Sequence, residues 1–325
     1  MSVLITGAAG QDGRLLARKL LSEGLKVTGL CKPGHEGILL QYCPGINVIE
    51  VDLANEKKLV EILNLVQPNQ IYNLAGFSSV NQSWKNPDMV AAVNSLVPAV
   101  ILKWCLEVKP SARLLQASSS EIFGANKISP QNENTPHSPI TPYGLSKSFS
   151  HTLLQQFRSE YGLHVSNAIL YNHESPLRDP HFVTRKITRA VAAIARGSSE
   201  LLHLGQIHSQ RDWGWAPDYV DGMQKIIQQE LPGDYVLATG IAQSVADLLA
   251  YAFKHIGISD YSGYVRHDQR NDRHIDPTNL VGNNSLAFER LNWAPTMNLQ
   301  QVIASMVDFD LELIDRPESQ WFGKF

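Results

Sequence analysis

The sequence predicts an α/β protein built on a doubly wound parallel sheet, with a smaller, mixed α/β C-terminal domain for a substrate. Three observations carry this. Short apolar strands alternate with amphipathic helical segments over about 170 residues with no hairpin signal between them. At the N-terminus a strand, a glycine turn and a helix follow one another without a break. Past residue 171 the alternation gives way to polar loops and basic, aromatic stretches.

Ser2 to Thr6 is the first apolar strand, and Gly7-Ala-Ala-Gly10-Gln-Asp-Gly13 separates it from the amphipathic segment Arg14 to Ser22. Gly7 allows a tight turn, Gly10 lets the backbone approach a pyrophosphate, and Gly13 lets helix pack closely on strand, with the phosphate at the helix's positive end. In that context the glycines predict a Rossmann-type dinucleotide site; an ordinary strand-to-helix turn is the plain alternative. Gly24 ends the helix, and Leu25 to Leu30 forms the second strand, whose C-terminal end faces the adenosine ribose in such folds. An acid there indicates NAD. The chain offers Cys31-Lys32-Pro33-Gly34, and Lys32, unless it is a solvated surface lysine, pairs with a 2′-phosphate, which favours NADP.

The third strand, Ile46 to Val51, ends in Asp52-Leu53, where a carboxylate reaches the adenine amino group. A helix from about Glu56 to Val66 leads to a fourth strand, Gln70 to Leu74, and the small-residue bend Asn73-Leu74-Ala75-Gly76, fit to pass under a cofactor. Met89 to Val108 reads as a long helix in which Asn94 is a satisfied buried amide. The fifth strand, Arg113 to Ala117, delivers Ser118-Ser119-Ser120-Glu121 to the carboxyl edge of the sheet, where ligands bind. A helix from Tyr143 to about Tyr161 and a sixth strand, Leu163 to Leu170, complete the alternation. Helices then run from Phe182 to Arg196 and from Asp218 to near Glu230. Residues 234–239 and 244–256 read as a strand and helix returning to the main sheet, and Gln300 to Leu313 is the closing helix.

The chemistry-bearing stretch is Ala117 to Lys147. Tyr143 and Lys147 stand four apart on one helical face, so an ammonium beside the phenol is expected to lower its pKa from about 10. A phenolate partnered by Ser119 takes the proton from a substrate alcohol while hydride leaves the same carbon. Glu121 is the group such a pair does not need; its plain alternative is a carboxylate that caps the next loop. The basic groups Arg185/Lys186, Arg211 and Arg270/Arg273 suit a diphosphate, since guanidinium forks bind phosphate oxygens bidentately.

Longer words narrow the reading: Gly10-Gln-Asp-Gly13, Tyr72-Asn-Leu-Ala75, Ser118-Ser-Ser-Glu121, Asn172-His-Glu-Ser-Pro176, Phe182-Val-Thr-Arg-Lys186, Arg211-Asp-Trp-Gly214 and Leu291-Asn-Trp293. Together with Tyr143 and Lys147 they resemble the GDP-mannose 4,6-dehydratase family of the extended short-chain dehydrogenase/reductase superfamily. The resemblance implies an NADP-dependent lyase, cytoplasmic and homo-oligomeric as a dimer or tetramer, acting on a GDP-sugar. It implies Ser119, Glu121, Tyr143 and Lys147 as catalytic. Cofactor contacts come from Gly7, Gly10, Gln11, Asp12, Gly13, Lys32, Asp52, Leu53, Leu74, Ala75, Tyr143, Lys147 and His173, and substrate contacts from Asn172, Val183, Lys186, Arg211 and Arg273. Glu174 is either a site residue or a loop-fixing carboxylate. Where the family has paired arginines after the second strand this chain has Lys32-Pro33, and Phe77 and Ser79 replace a Gln and a His beside the sugar. A GDP-heptose or another GDP-hexose is therefore an alternative to GDP-mannose, and a 4-keto-sugar reductase, a 4-epimerase or a non-catalytic nucleotide sensor are the rival functions.

Composition bounds the rest. The chain has 325 residues, 43% hydrophobic and 18% charged, with net charge -3 and no long run of one sign, which argues against a surface for nucleic acid or an anionic membrane. No apolar run approaches the roughly 18 residues that span a bilayer, and Met1 to Gly7 reads as mature structure and not a targeting signal. Cys31, Cys43 and Cys105 have no CxxC spacing, so buried thiols and no metal site are expected. The expected division is a dinucleotide-binding domain, residues 1–171 with returning segments at about 215–256, and a discontinuous substrate domain, residues 172–214 and 257–325.

Overall fold

The computed structural model describes residues 1–271 and 280–316. In chain order the first elements are β1 (Ser2–Thr6), α1 (Gln11–Ser22), β2 (Lys26–Cys31), α2 (Glu36–Tyr42), β3 (Asn47–Glu50), α3 (Glu56–Val66) and β4 (Gln70–Asn73). There follow α4 (Val80–Lys85), α5 (Pro87–Ala91), a π-helical turn (Ala92–Leu96), α6 (Val97–Glu107), β5 (Arg113–Ser119), α7 (Pro142–Tyr161), β6 (Val165–Leu170) and β7 (Asn172–Glu174). The remainder is α8 (Val183–Ala195), β8 (Leu202–Leu204), β9 (Gln210–Trp215), α9 (Ala216–Gln228), β10 (Asp234–Leu237), β11 (Ala242–Ser244), α10 (Val245–His255), β12 (Val265–His267), α11 (Ser285–Leu291) and α12 (Leu299–Asp315).

Seven strands form one parallel sheet in the order β10-β6-β5-β4-β1-β2-β3. Strands such as β1, β5 and β6 are buried on both faces, which is why they read as apolar runs without alternation. The order reverses between β1 and β4, and the carboxyl ends of strands on either side of that point open a crevice. One apolar cluster joins α1, α9 and α11 to the sheet, and a second joins α3, α6 and α7 to it.

Expected to return to the main sheet, α10 instead packs on α8 and α12: Leu248, Leu249 and Phe253 share a third cluster with Ile187, Val191, Val302 and Met306. The segment before it, β11, pairs with β9, and β9 with β7, in a separate three-stranded sheet. The strand of residues 234–239 does return, as β10 beside β6.

The helical run from Pro87 to Glu107 is, by length and composition, able to cross a bilayer, contrary to the expectation that no such segment exists. It packs as a core helix instead. Ile101, Leu102, Trp104 and Cys105 are buried against the sheet, and the polar Asn94 and Ser95 are buried as well. Pro98 has no N–H to bond the carbonyl of Asn94, and the helix widens into a π turn just before it. Asn94 is thereby turned inward: its Oδ1 accepts the Phe77 amide at 2.8 Å and its Nδ2 donates to Ser146 Oγ at 3.0 Å. It is the satisfied amide the sequence suggested, and it ties the Gly76-Phe77 bend to α7.

Candidate active site

A cavity of about 750 Å³ runs along the crevice, and the site residues proposed from the sequence line it except Arg185 and Arg270, and Arg273, which lies outside the described residues. Its floor is the β1–α1 turn. Gly7 sits at φ +68°, and a Cβ there would lie 2.8 Å from the Ala75 backbone. A Cβ on Gly13 would lie 2.4 Å from the Gly7 carbonyl oxygen, so this glycine permits helix and strand to meet. Gly10 is the N-cap of α1 and has no capping side chain; a Cβ there would meet only the Gly7 oxygen, at 3.2 Å. The bare helix end therefore faces the cavity, as an anionic diphosphate requires. Lys32 stands at the cavity wall beyond β2, with Asp52 and Leu53 beyond β3 and Leu74 and Ala75 beyond β4.

The loop beyond β6 is clasped to this floor. Gln11 Nε2 donates to the His173 carbonyl at 3.1 Å, Ser175 Oγ donates to Gln11 Oε1 at 2.8 Å, and Asp12 Oδ2 lies 3.0 Å from His173 Nε2. The other imidazole nitrogen, Nδ1, faces the Tyr171 carbonyl at 2.7 Å, so both nitrogens meet acceptors. Burial favours neutral imidazole, but the Asp12 carboxylate outweighs it and raises the His173 pKa; burial likewise opposes ionisation of Asp12, and the histidine outweighs it and lowers that pKa. Glu174 is the loop-fixing carboxylate: buried, it accepts from Thr184 Oγ1 at 2.6 Å and pairs with Arg178 at 3.2 Å.

Thr141 caps α7 by accepting the Gly144 amide at 2.9 Å, with Pro142 at the first helical position. Tyr143 thus enters on the first turn, and Lys147 and His151 follow on the same buried face. A Cβ on Gly144 would lie 2.6 Å from the Glu121 carbonyl oxygen, so the helix start and the turn bearing Glu121 touch backbone to backbone. Ser119 lies close enough to the Tyr143 phenol to favour its ionised form, and the charge of Glu121 opposes that ionisation. Ser119, Glu121 and Tyr143 therefore converge on one wall.

The expected lowering of the phenol pKa does not occur in this state. Burial lifts Tyr143 to about 12, and the neighbouring Ser119 offsets only part of that. Burial also pushes the Lys147 amine down to about 8, and its Nζ donates to the Ala117 carbonyl at 2.7 Å while standing 5.9 Å from the Tyr143 ring centroid. Desolvation disfavours both charges, so proximity alone does not make a phenolate.

The basic groups separate. Lys186 and Arg211 line the cavity. Arg185 does not serve a diphosphate: it is buried and ion-paired with Asp310. Arg270 is forked onto Asp268 at 2.8 to 3.2 Å and lies away from the cavity lining. The residue the sequence reading missed is Arg178. It lines the cavity, stacks 3.7 Å over the Phe182 ring, is held by Glu174, and its charge acts on Tyr143, Asp12 and His173. Its spacing four residues after Glu174 was the available signal.

A doubly wound sheet with a glycine floor and a Tyr-x-x-x-Lys face defines a short-chain dehydrogenase/reductase type of protein, and solved structures share the fold. UDP-glucose 4-epimerase of Thermotoga maritima superposes with a TM-score of 0.86 at 24% identity, over 97% of this chain and 100% of that one. The dTDP-glucose 4,6-dehydratase DesIV of Streptomyces venezuelae, solved with NAD, does so at 0.84 and 21% identity, over 98% of both. The chain belongs to the GDP-mannose 4,6-dehydratase family, whose model matches residues 4–306. GDP-mannose 4,6 dehydratase 2 of Arabidopsis thaliana is 38% identical over 96% of this chain and 87% of its own. The enzyme of that name from Sinorhizobium fredii is 37% identical over 96% and 97%. The chain spans 61% of a longer relative, GDP-mannose 4,6-dehydratase sdnI of Sordaria araneosa, at 37% identity.

Proposed function

We propose that the protein is a GDP-sugar 4,6-dehydratase that converts GDP-mannose, or a close GDP-hexose or GDP-heptose, to the GDP-4-keto-6-deoxy sugar, with NADP retained between turnovers. The observation that carries the reading is the convergence of Ser119, Glu121 and Tyr143 on one cavity wall. Glu121 is superfluous to a reductase or a 4-epimerase. Relatives named as GDP-mannose 4,6-dehydratases support the substrate class, and structural neighbours holding NAD support a nicotinamide dinucleotide.

The uncapped start of α1 above the glycine floor fits the diphosphate, and Lys32 supports a 2′-phosphate. When bound, the nicotinamide would supply the hydride acceptor and donor. The chain supplies the proton chemistry. Tyr143 takes the proton of the hydroxyl on sugar carbon 4, oriented by Ser119, with Arg178 as a cation that favours its ionised form and Lys147 5.9 Å from its ring centroid. Glu121 removes the proton on carbon 5, made acidic by the new ketone, and delivers it to the hydroxyl leaving carbon 6. Glu121 acts first as base and then as acid; when hydride is added at carbon 6, carbon 5 needs a proton again, and Tyr143 gives it the one taken from the carbon-4 hydroxyl, so the turnover ends proton-neutral. Lys186 and Arg211 serve the nucleotide diphosphate, and Asn172 and Val183 the remaining substrate wall.

Exposed Leu96, Leu145 and Phe149 on neighbouring helices support a homo-oligomer. The three free, buried cysteines accord with a reducing cytoplasm. The function is tested by incubating purified protein with GDP-mannose and no added reductant, then developing the alkali-induced chromophore of a 4-keto sugar. Product is expected. Failure with GDP-mannose, GDP-hexoses and GDP-heptoses alike sinks the reading.

A further inference from the structure

We propose that Glu50, at the C-terminal end of β3, sets how strongly the cavity prefers a dinucleotide bearing a 2′-phosphate over one that lacks it. This rests on the dinucleotide reading given above. Strands β2 and β3 run parallel with Cys31 opposite Glu50, which puts the carboxylate beside the strand end that meets the adenosine ribose in this topology. The chain then turns through Lys32 to His35, and Glu50 Oε1 accepts the amides of Gly34 at 2.7 Å and Glu36 at 3.2 Å. Backbone amides that converge in a turn are a natural anion cradle. Here the protein's own carboxylate takes them.

Lys32 and His35 line the cavity at this end, and the glutamate, itself exposed and outside the lining, fixes the turn that presents them. Its charge reaches the cavity wall: after burial, Glu50 and Glu36 are what raise the pKa of the Cys31 thiol. A 2′-phosphate carries about -1.5 to -2 charges, and a ribose hydroxyl carries none. A fixed carboxylate therefore penalises the first and leaves the second nearly untouched, while Lys32 acts with the opposite sign. Cofactor choice in this chain is the difference between one lysine and one glutamate, not the work of a basic cluster.

Calorimetric titration of the full-length protein, freed of any retained dinucleotide, with 2′,5′-ADP and with 5′-ADP tests this without reference to turnover. Glu50→Gln keeps an oxygen that accepts both amides and removes the charge. It is expected to shift the ratio of the two dissociation constants about three- to tenfold toward the 2′-phosphate at low salt, with the shift shrinking as salt is added. Glu50→Asp keeps the wild-type ratio, and Glu50→Lys moves it further in the direction of Glu50→Gln. If wild type and variants bind both nucleotides with one unchanged ratio, Glu50 has no such role and the dinucleotide reading stands. If wild type binds neither, the dinucleotide reading falls and this proposal with it.

Discussion

Lys147 and Tyr143 share one face of α7, yet Lys147 Nζ is bonded to the Ala117 carbonyl at 2.7 Å and stands 5.9 Å from the phenol ring's centroid. Each is buried, and burial moves their pKa values in opposite directions, to about 8 for the amine and about 12 for the phenol. Burial thus opposes both charges, leaving the phenol neutral and the amine still largely an ammonium at neutral pH.

This has a measurable consequence for stability. Between about pH 8 and 10.5 the unfolded chain binds more protons at Lys147 than the folded one, so stability rises with pH across that window. The penalty for the buried ammonium, about 3 kcal/mol for such a shift, is present in full below pH 8. Lys147→Met is expected to be more stable than wild type at neutral pH in denaturant titrations, with the difference shrinking toward about pH 10. A variant no more stable at neutral pH would mean that other charges compensate the ammonium.

Two glycines of the floor separate folding from binding. Gly13→Ala puts a methyl 2.4 Å from the Gly7 oxygen and is expected to cost about 1–3 kcal/mol as well as dinucleotide affinity. Gly10→Ala meets only that oxygen at 3.2 Å, so its melting temperature stays close to wild type while dinucleotide binding is lost. Thermal melts beside binding titrations distinguish the two; equal losses of stability would contradict the assignment of roles.

The Asp12–His173 clasp titrates from both sides. The raised histidine pKa gives stability that is complete below its ordinary value and lost as pH climbs through the folded one. The lowered aspartate pKa gives stability that is complete above its ordinary value and lost as pH drops through the folded one. The stability difference between wild type and Asp12→Asn is thus expected to peak between about pH 4 and 6.5 and to fade on the alkaline side. A difference independent of pH would show that the contact is a neutral hydrogen bond.

Leu96, Leu145 and Phe149 are 58%, 57% and 51% exposed on adjoining helices, and in the proposed homo-oligomer they face the partner subunit. Phe149→Asp is expected to shift sedimentation toward the monomer without unfolding it. An unchanged profile would place the subunit contact elsewhere.

Much of this was legible in the chain because the cues were local. The glycine spacing after β1, the Tyr143 to Lys147 interval and the serine run ending in Glu121 each follow from one element's own geometry, and all line one cavity. What the sequence hid depended on distant partners. Arg185 and Lys186 are adjacent in sequence, but only Asp310, 125 residues away from Arg185, reveals that the first is structural. Arg178 looked like loop surface until Glu174 and Phe182 held it over the cavity. The phenol's pKa was misjudged because spacing conveys proximity and not desolvation. Helix α10 was misplaced because its apolar face fits a sheet or two helices equally well.

The central claim is that Glu121 and Tyr143 act on one sugar ring. Its most direct test gives wild type and Glu121→Gln GDP-mannose deuterated at carbon 4. Wild type is expected to carry the label to carbon 6 of a 4-keto-6-deoxy product with no reductant added. Glu121→Gln is expected to bind the sugar normally and turn over about a hundred- to ten-thousandfold more slowly. Label left at carbon 4 or released with the cofactor, or a variant as fast as wild type, would contradict the account.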